Sequence, residues 1–390
     1  MSIQQHYLQT AGQLLASYKG DTPLHLYLKQ FFGLHKKYGS RDRKNISSLC
    51  YSYFRLGKAL PNFKIQDKIL LALYLINNQP TALLEILNKL FNEHVTKSFG
   101  DKLVFADVSI LPQQIFPSYT RLSGEINVED YAAHMLIQPD VFVRVRPGKS
   151  EIVERKLREL EWNYVREPKG AIRLEPGASV DKHFKINEEL VIQDLNSQKV
   201  GEIVQEVFRK NSFIPSHLWD CCAASGGKSI MMKDLFPAIK ITVSDIRLSI
   251  LQNLAKRFKE AGINTYHKFV ADLVVNKPAL QLKPTNFIIT DVPCTGSGTW
   301  SRTPEQLYFF KEEVIEEYAA KQFAIAKNAI NYLLPGGWLA YITCSVFKKE
   351  NESIVAKLLA DNSMQLVHQE LLNGTRQKAD SMFVAIMRKS

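Results

Sequence analysis

Residues 218–229 read LWDCCAASGGKS, and this stretch decides the fold. A short apolar run ends at Asp220, and a turn of small residues follows it directly. Small side chains let a backbone turn approach a ligand closely after a strand. An acidic residue about 20 positions on, at the end of the next strand, can bind ribose hydroxyls, and Asp245 stands there in ITVSD. The pattern indicates an adenosine-type ligand.

The ending Gly227-Lys228-Ser229 also raises the alternative of an ATPase. A phosphate loop needs a glycine four residues before Gly-Lys-Ser/Thr, and that position is Cys222. The strict pattern fails, so the ATPase stays a minor alternative, which predicts nucleotide hydrolysis that requires Mg²⁺.

Around this stretch the chain alternates apolar runs with helical patterns from about residue 206 onward. A long helical pattern covers residues 312–337. This alternation predicts a doubly wound, mostly parallel α/β sheet of Rossmann-like type, whose strand ends line one ligand crevice. The runs end at Asp220, Asp245, Asp272, Asp291 and Cys344.

The preceding chain divides into two further predicted domains. Residues 1–125 have helical periodicity, with an apolar face in residues 46–54 at Ile46, Leu49, Cys50, Tyr53 and Phe54. Residues 126–205 predict a small α/β module, in which PDVFVRVRP alternates like a strand with one basic face. Residues 206–390 form the third predicted domain.

The charge balance favours a polyanionic partner. Lys and Arg number 50 against 39 Asp and Glu, which gives a net charge of +11. Such an excess is typical of nucleic-acid binding, although a merely basic protein or a solvated loop is the alternative. The candidate RNA-binding residues are Lys36, Lys37, Arg41, Arg43, Arg144, Arg146 and Arg302.

The cysteines do not form a disulfide or zinc pattern. There are five, irregularly spaced and without a CxxC pair, so we expect free thiols, no metal and a reducing cytoplasm. The N-terminus lacks the apolar stretch of a signal peptide, and no run of about 18 apolar residues predicts a membrane span. Nothing in the sequence requires more than a monomer.

Two cysteines follow neighbouring predicted strands. Cys294 lies in TDVPCTGSG and Cys344 in YITCSVFKKENE. Buried cysteines are commonly inert, but a thiolate near Lys348 and Lys349 in a polar crevice would be nucleophilic. The residues themselves do not rank the two cysteines.

The three motifs DCCAASGGKS, TDVPCTGSG and YITCSVFKKENE, in this order, resemble the RsmB/Sun-type RNA (cytosine-5) methyltransferases. The family pattern has D-x-C-A-A-P-G-G-K-T, then D-x-P-C-S-G-x-G, then T-C-S followed by Glu-Asn-Glu. The resemblance covers residues ~190 to 390. The stretch SRDRKNISSLCYSYFR resembles the family's NusB-like RNA-binding domain.

The resemblance implies S-adenosylmethionine as cofactor and assigns roles to positions. Asp245 would bind the ribose, and Asp272 would lie near the adenine unless it is a solvated strand end. Asp291 would contact both the cofactor region and the cytosine, with Lys228 as a second contact or a loop brace. The residues that would line the cofactor are Cys222, Ala223, Ala224, Ser225, Gly226, Gly227 and Lys228.

The resemblance also assigns the thiols and the substrate. Cys344 would be the nucleophile and Cys294 would assist release of the RNA, while Cys221 is structural. The expected substrate is ribosomal RNA, in particular that of the small subunit. Transfer RNA, or a non-catalytic role in ribosome assembly, are the alternatives. Ser225 replaces the family proline, which would loosen the turn.

Overall fold

The computed structural model describes residues 3–275, 282–360 and 362–390. Its helices, in chain order, are α1 Ile3–Ser17, α2 Leu24–Leu34, α3 Ser40–Arg55, α4 Ile65–Ile76, α5 Ala82–Leu87, α6 Lys89–Glu93, α7 Phe99–Phe105, α8 Pro112–Ile115, α9 Val128–Met135, α10 Ser150–Glu159, α11 Val180–His183, α12 Leu195–Lys210, α13 Gly227–Leu235, α14 Leu248–Glu260, α15 Pro304–Phe309, α16 Val314–Ile330 and α17 Glu352–Leu359. Its strands are β1 Val141–Val145, β2 Tyr164–Arg166, β3 Ala171–Leu174, β4 Leu190–Ile192, β5 His217–Asp220, β6 Lys240–Asp245, β7 His267–Val270, β8 Thr285–Asp291, β9 Leu333–Thr343, β10 Met364–Leu372 and β11 Met382–Lys389. Within the described ranges, no helix is both long enough and apolar enough to span a bilayer.

The chain forms two compact units. The helical unit comprises residues up to Thr120 with Ile126–Gln138 and Thr299–Glu312, and the sheet unit comprises Arg121–Glu125, Pro139–Gly298 and Glu313–Ser390. The segment Thr299–Glu312 therefore belongs to the helical unit although its chain neighbours lie in the sheet unit. The three-domain division with boundaries near 125 and 205 stays a prediction.

The helical unit packs around α3. The predicted helix is confirmed, and it buries Ile46, Leu49, Cys50 and Phe54. Phe54 lies at the centre of an aromatic cluster with Tyr18, Tyr308 and Phe309. The α3 periodicity of apolar residues thus positions the core of this unit.

Two cations are buried in the same unit. Arg55 is 3% exposed and donates hydrogen bonds to the carbonyls of Met135, Ile137 and Ser301. Lys68 is 2% exposed and donates to the Ala59 carbonyl at 2.6 Å. Each positive charge is held by carbonyl dipoles, because a buried cation without acceptors would be costly.

The sheet unit is built on a seven-stranded sheet of order β10-β11-β9-β8-β5-β6-β7. Strands β9, β8, β5, β6 and β7 are parallel, while β10 and β11 pair antiparallel at one edge. The predicted doubly wound fold is confirmed. The chain leaves β5 toward β6 and β7 and returns through β8 to the other side, so the switch point lies beside β5. A ligand crevice is expected there.

The central strands are buried on both faces. In β8, Phe287, Ile288 and Ile289 are all 0% exposed, and Leu218 and Trp219 of β5 are equally buried. Continuous apolar runs of this kind are typical of parallel strands covered by helices on both sides. The strands can therefore present polar residues only where they end.

One boundary differs from the helical pattern over residues 312–337. Helix α16 ends at Ile330, and β9 already begins at Leu333. The strand runs through Pro335, Gly336 and Gly337, of which Gly336 has a positive φ of 72°. Proline and glycine end helices, so the switch to strand precedes them.

A smaller sheet of order β2-β3-β1-β4, antiparallel throughout, also belongs to the sheet unit. Helix α10 contributes Val153 and Leu157 to its core, where they pack with Val143, Ile172 and Leu190. The expected α/β composition of this region is thus observed.

Candidate active site

A cavity of about 720 Å³ opens at the carboxyl ends of the parallel strands. It is lined by Cys221, Cys222, Ala224, Asp245, Ile246, Arg247, Ala271, Asp272, Leu273, Val274, Asp291, Val292, Pro293, Cys294, Lys321, Ile325 and Cys344. The fold therefore brings together residues that the sequence places up to 123 positions apart, from 221 to 344.

The two candidate catalytic thiols lie side by side in this cavity. Cys294 follows β8 and Cys344 follows β9, which are neighbouring parallel strands. Their sulfur atoms are 3.2 Å apart. The hydrogen bond to Cys344, followed by burial, raises the pKa of the Cys294 thiol well above its ordinary value. The contact between the two sulfurs therefore favours the protonated form of Cys294.

Lys228 and Asp291 form an ion pair next to the thiols. Lys228 Nζ donates to Asp291 Oδ2 at 2.6 Å, and the lysine side chain is only 10% exposed. Burial alone would lower the pKa of Lys228, but the charge and hydrogen bond of Asp291, with a further contribution from Cys344, raise it. Lys228 is thus a fixed cation that stabilises negative charge on both neighbours.

The glycine turn between β5 and α13 has an unusual backbone. Ala224 and Gly226 have φ values of 44° and 82°, and a Cβ on Gly226 would approach Phe258 to 2.7 Å. The turn is fixed to β6 because Ala224 N donates to Asp245 Oδ2 at 3.1 Å. Glycine is required at position 226, since a side chain there would be both strained and crowded.

Ser225, which stands where the family has proline, is also held. Its hydroxyl and carbonyl oxygens accept hydrogen bonds from Arg257 Nη1 at 2.6 and 3.0 Å. Arg257 is fixed in turn by Asn187 Oδ1. The arginine supplies a constraint that proline would supply through its fixed φ.

The acidic residues differ in burial. Asp245 is 5% exposed, and its Oδ1 accepts from Arg247 N at 2.9 Å, whereas Asp272 is exposed and accepts from Val274 N. Asp220 is 1% exposed; its Oδ2 accepts from Ser229, but its Oδ1 has no hydrogen-bond partner within the described chain. Burial raises the pKa of Asp220 to about 7.

The sequence motifs did not reveal every residue that holds this site. Arg257 lies on α14, outside all three motifs, and no local signal identifies it. Glu350 lies in the Glu-Asn-Glu motif, where the spacing indicates a family feature but not a role. Both contribute through contacts that only the folded chain creates.

The candidate RNA-binding residues differ in their exposure to solvent. The loop and helix start at 36–43 is exposed at Lys36, Lys37, Arg41 and Arg43, all in the helical unit. Arg302 is half-buried in the same unit.

Arg144 and Arg146 correct the expectation of an RNA-facing basic strand. Their side chains are 14% and 12% exposed, and both pair with Asp234. Burial lowers the pKa of Arg144, and Arg146 Nη2 also donates to the Ala261 carbonyl at 2.9 Å. These guanidinium groups connect the small sheet to α13 and to the end of α14, and their donors are engaged in those contacts rather than exposed to RNA phosphates.

The cavity fits the cofactor that the resemblance implies. S-adenosylmethionine carries a sulfonium cation and an ammonium group, and the cavity is lined by Asp245, Asp272 and Asp291. Carboxylates that line a cavity favour a cationic ligand. Apolar side chains, Leu273 and Ile325, lie on the same wall and suit a purine ring.

Comparison with known proteins identifies one matching family model. Residues 214–387 match the model of the 16S rRNA methyltransferase RsmB/F. Among curated relatives, ribosomal RNA small subunit methyltransferase B of Xylella fastidiosa is 27% identical over 172 residues, which cover 44% of this chain and 38% of that protein. The enzyme of the same name from Shewanella oneidensis is 31% identical over 143 residues, 36% of this chain and 33% of that protein. The matches thus span well under two thirds of these relatives.

Solved structures share the fold at low sequence identity. The structure of PH0851 is 18% identical with a TM-score of 0.70, and the match covers 100% of both chains. NSun6 from Pyrococcus horikoshii, solved with SFG, is 16% identical with a TM-score of 0.57 over 70% of this chain and 97% of that one. These likenesses establish the fold.

Proposed function

We propose that the chain methylates carbon 5 of a cytosine in small-subunit ribosomal RNA, and the match of residues 214–387 to the RsmB/F methyltransferase model supports this. S-adenosylmethionine is the proposed methyl donor, bound in the cavity at the ends of β5, β6 and β8. The relatives named above carry the small-subunit rRNA activity in their names, which supports this substrate over transfer RNA.

The observation that carries the proposal is the 3.2 Å separation of Cys294 Sγ and Cys344 Sγ beside the Lys228–Asp291 pair. Carbon 5 of cytosine is a poor nucleophile, so it needs activation before it can accept a methyl group. A thiolate that adds to carbon 6 supplies that activation. A second thiol within reach of the same ring can then assist the later step, in which the S–C6 bond breaks and the RNA is released.

The first half of the reaction belongs to Cys344. Its thiolate forms the S–C6 bond, and the electron pair of the C5=C6 double bond becomes available at carbon 5. Lys228 stabilises the thiolate before attack, and Asp291 contacts the cytosine at N3 as charge develops in the ring. S-adenosylmethionine, when bound, supplies the electrophilic methyl group that this carbon accepts.

The second half belongs to Cys294. Once Cys344 is a thioether, the hydrogen bond to Cys344, which is the largest cause of the raised pKa of Cys294, is weakened, while burial remains. In the proposed step Cys294 then gives its proton to solvent. The Cys294 thiolate then accepts the C5 proton. The C5–H electron pair re-forms C5=C6, the S–C6 bond breaks, and its electron pair returns to the Cys344 sulfur.

The target base must leave its stack to enter the cavity. Single-stranded loops and bulges lower this cost, and proteins that read RNA sequence favour them. The exposed cluster Lys36, Lys37, Arg41 and Arg43 is the proposed phosphate contact, since each residue is free of a buried structural role.

The chemistry is tested with two single variants and an unmodified small-subunit rRNA transcript. With S-adenosylmethionine, wild type transfers methyl groups. Cys294→Ala accumulates a covalent protein–RNA species on a denaturing gel, because release fails, and Cys344→Ala forms none. The opposite pattern would exchange the two assignments, and absence of both methyl transfer and adduct would refute the catalytic proposal.

The substrate is tested by bisulfite sequencing of total RNA from cells with and without the gene, because 5-methylcytosine resists bisulfite. Loss of one protected cytosine from ribosomal RNA is the expected result. Loss from a transfer RNA would keep the chemistry and change the substrate. No lost site would favour a non-catalytic assembly factor.

A further inference from the structure

We propose that Glu350 and Asn351, adjacent in the chain, are positioning residues for the two separate halves of the reaction. Glu350 holds the loop of the release thiol Cys294, and Asn351 holds the loop of the nucleophile Cys344. This inference rests on the proposed function, because it assigns each residue to one chemical step. The Glu-Asn-Glu motif then has a physical role in the site.

Glu350 is 0% exposed and its carboxylate grips the residue that follows Cys294. Oε1 accepts from the Thr295 backbone N–H at 2.9 Å, and Oε2 accepts from the Thr295 hydroxyl at 2.6 Å. Two bonds to one residue fix both its backbone and its side chain. Charge-assisted hydrogen bonds of this kind are about twice as strong as neutral ones.

The grip extends to the residue that precedes Cys294. Gln322 Nε2 donates to Glu350 Oε1 at 2.8 Å and to the Pro293 carbonyl at 3.0 Å. Gln322 lies on α16 and is 0% exposed, so it connects the glutamate to this carbonyl without solvent. Cys294 is therefore held from both sides by one carboxylate and its partner.

Asn351 brackets Cys344 in the same way. Its side chain is 0% exposed; Nδ2 donates to the Ser345 carbonyl at 2.9 Å, and Oδ1 accepts from the Thr343 hydroxyl at 2.6 Å. Thr343 and Ser345 directly precede and follow the nucleophile. One bond links the two brackets, because the Ser345 hydroxyl donates to Glu350.

Glu350 and Asn351 therefore position the two loops that follow the neighbouring strands β8 and β9. The reaction is sensitive to this, because a displacement of about 1 Å can cost on the order of a hundredfold in rate. Attack on carbon 6 needs only Cys344 in place. Release also needs Cys294 at its present distance, so loosening its loop should slow the second half more than the first, to which Glu350 is connected through the Ser345 hydroxyl.

Glu350→Gln is the variant that preserves volume. The Gln oxygen can still accept from the Thr295 N–H and from Gln322 Nε2, which share Oε1 in wild type. The amide nitrogen takes the place of Oε2 and cannot accept from the Thr295 and Ser345 hydroxyls, and the negative charge is lost. We expect the adduct to form and to persist. Its steady-state amount should rise about tenfold over wild type, and kcat and KM should fall together so that kcat/KM changes little, because only a step after adduct formation is slowed. Glu350→Ala should have the larger effect.

Asn351→Ala should act on the other half. In the Cys294→Ala background, where release is already blocked, it should slow adduct formation about tenfold. Glu350→Gln in that background should add little, because it acts through the thiol that is already absent. Glu352→Gln is the matched control, since Glu352 accepts from Ser123 and does not bond either cysteine loop.

The results separate this inference from the proposed function. Thermal unfolding of each variant checks that it is folded. If Glu350→Ala does not fold, the test of Glu350 rests on Glu350→Gln alone. Loss of adduct in Glu350→Gln, or unchanged release, would refute the assignment of Glu350. If Cys294→Ala itself yields neither adduct nor methyl transfer, the proposed chemistry fails first.

Discussion

Two pairs of arginines with the same spacing have opposite surroundings. Arg144 lies on β1 in the sheet unit and Arg146 directly follows the strand, and Asp234 pairs with both at 2.5 and 3.0 Å. Arg41 and Arg43 lie at the start of α3 in the helical unit and are exposed. In the sequence both pairs look like basic patches. The difference teaches that an arginine in a basic stretch indicates RNA binding only where its side chain is not already paired with a buried acidic residue.

The physical reason is the desolvation of the buried pair. A guanidinium that loses water needs acceptors for its donors. Arg144 Nε donates to Gln193 Oε1 at 2.8 Å, and Arg144 Nη1 donates to Asp234 Oδ2 at 2.5 Å. Arg43, in contrast, donates one bond to the Tyr38 carbonyl and lies over the Phe32 ring, which leaves the rest of its guanidinium in water. The first pair builds the fold and the second is free to bind.

Asp234→Ala should produce the largest effect, because it removes the shared acceptor of Arg144 and Arg146. Two cations would remain in a nearly dry site, and we expect a loss of about 3–5 kcal/mol in the free energy of unfolding. Urea unfolding followed by tryptophan fluorescence measures it, since Trp219 and Trp338 lie in the same unit.

Asp234→Asn is the control for this prediction. It keeps an oxygen acceptor and the volume but removes the charge, so its effect should be smaller. A wild-type unfolding curve for Asp234→Ala would show that the ion pair does not stabilise the unit and would remove the contrast between the two arginine pairs.

The sequence predicted a doubly wound, mostly parallel sheet because the alternation of apolar runs and helical patterns is a local signal. Strand ends at Asp220, Asp245, Asp291 and Cys344 could be located from apolar runs alone, and the parallel topology places them at one edge. The pairing of Arg144 with Asp234 could not be predicted, because 90 residues separate them. The local sequence also does not distinguish a buried arginine from an exposed one.

The turn at Ser225 makes the same point within the candidate site. The motif identified the departure from proline, and the expectation was a looser turn. The structure instead places Arg257, 32 residues later, on the serine oxygens. Compensation by a distant side chain is invisible to a motif, because the motif covers only consecutive residues.

Lys68 sharpens the comparison, because it is a cation whose acceptors are carbonyls and which has no acidic partner among the residues that the structure describes. Burial lowers its pKa from the ordinary 10.5 to about 8. Between these values the unfolded chain binds more protons than the folded one, so stability rises with pH across this window. The full gain is present above pH 10.5 and is lost as pH falls through 8, and it amounts to about 3 kcal/mol.

The test compares wild type with Lys68→Met in thermal unfolding from pH 7 to pH 11. The contributions of other titrating groups cancel in the difference between the two proteins. Above pH 8 the stability of wild type should therefore rise relative to that of Lys68→Met. A difference that stays constant with pH would mean that Lys68 keeps an ordinary pKa, and that its carbonyl contacts fully replace water.

The smallest effect on the fold is expected for Arg41→Ala combined with Arg43→Ala, and this variant tests the binding side of the comparison. Thermal stability should not change, because both side chains are exposed. RNA affinity should fall, and the slope of log K against log salt should decrease by about 0.7 for each lost phosphate contact, or roughly 1.4 in all. Filter binding across a salt series measures this. Lys64→Ala with Lys89→Ala, also exposed on the helical unit, removes the same charge elsewhere and is the matched control. An equal slope change in both variants would mean that the cluster contributes only through net charge. A change confined to the Arg41 and Arg43 variant would mean that the position of an arginine, and not its charge alone, determines whether it binds RNA or stabilises the fold.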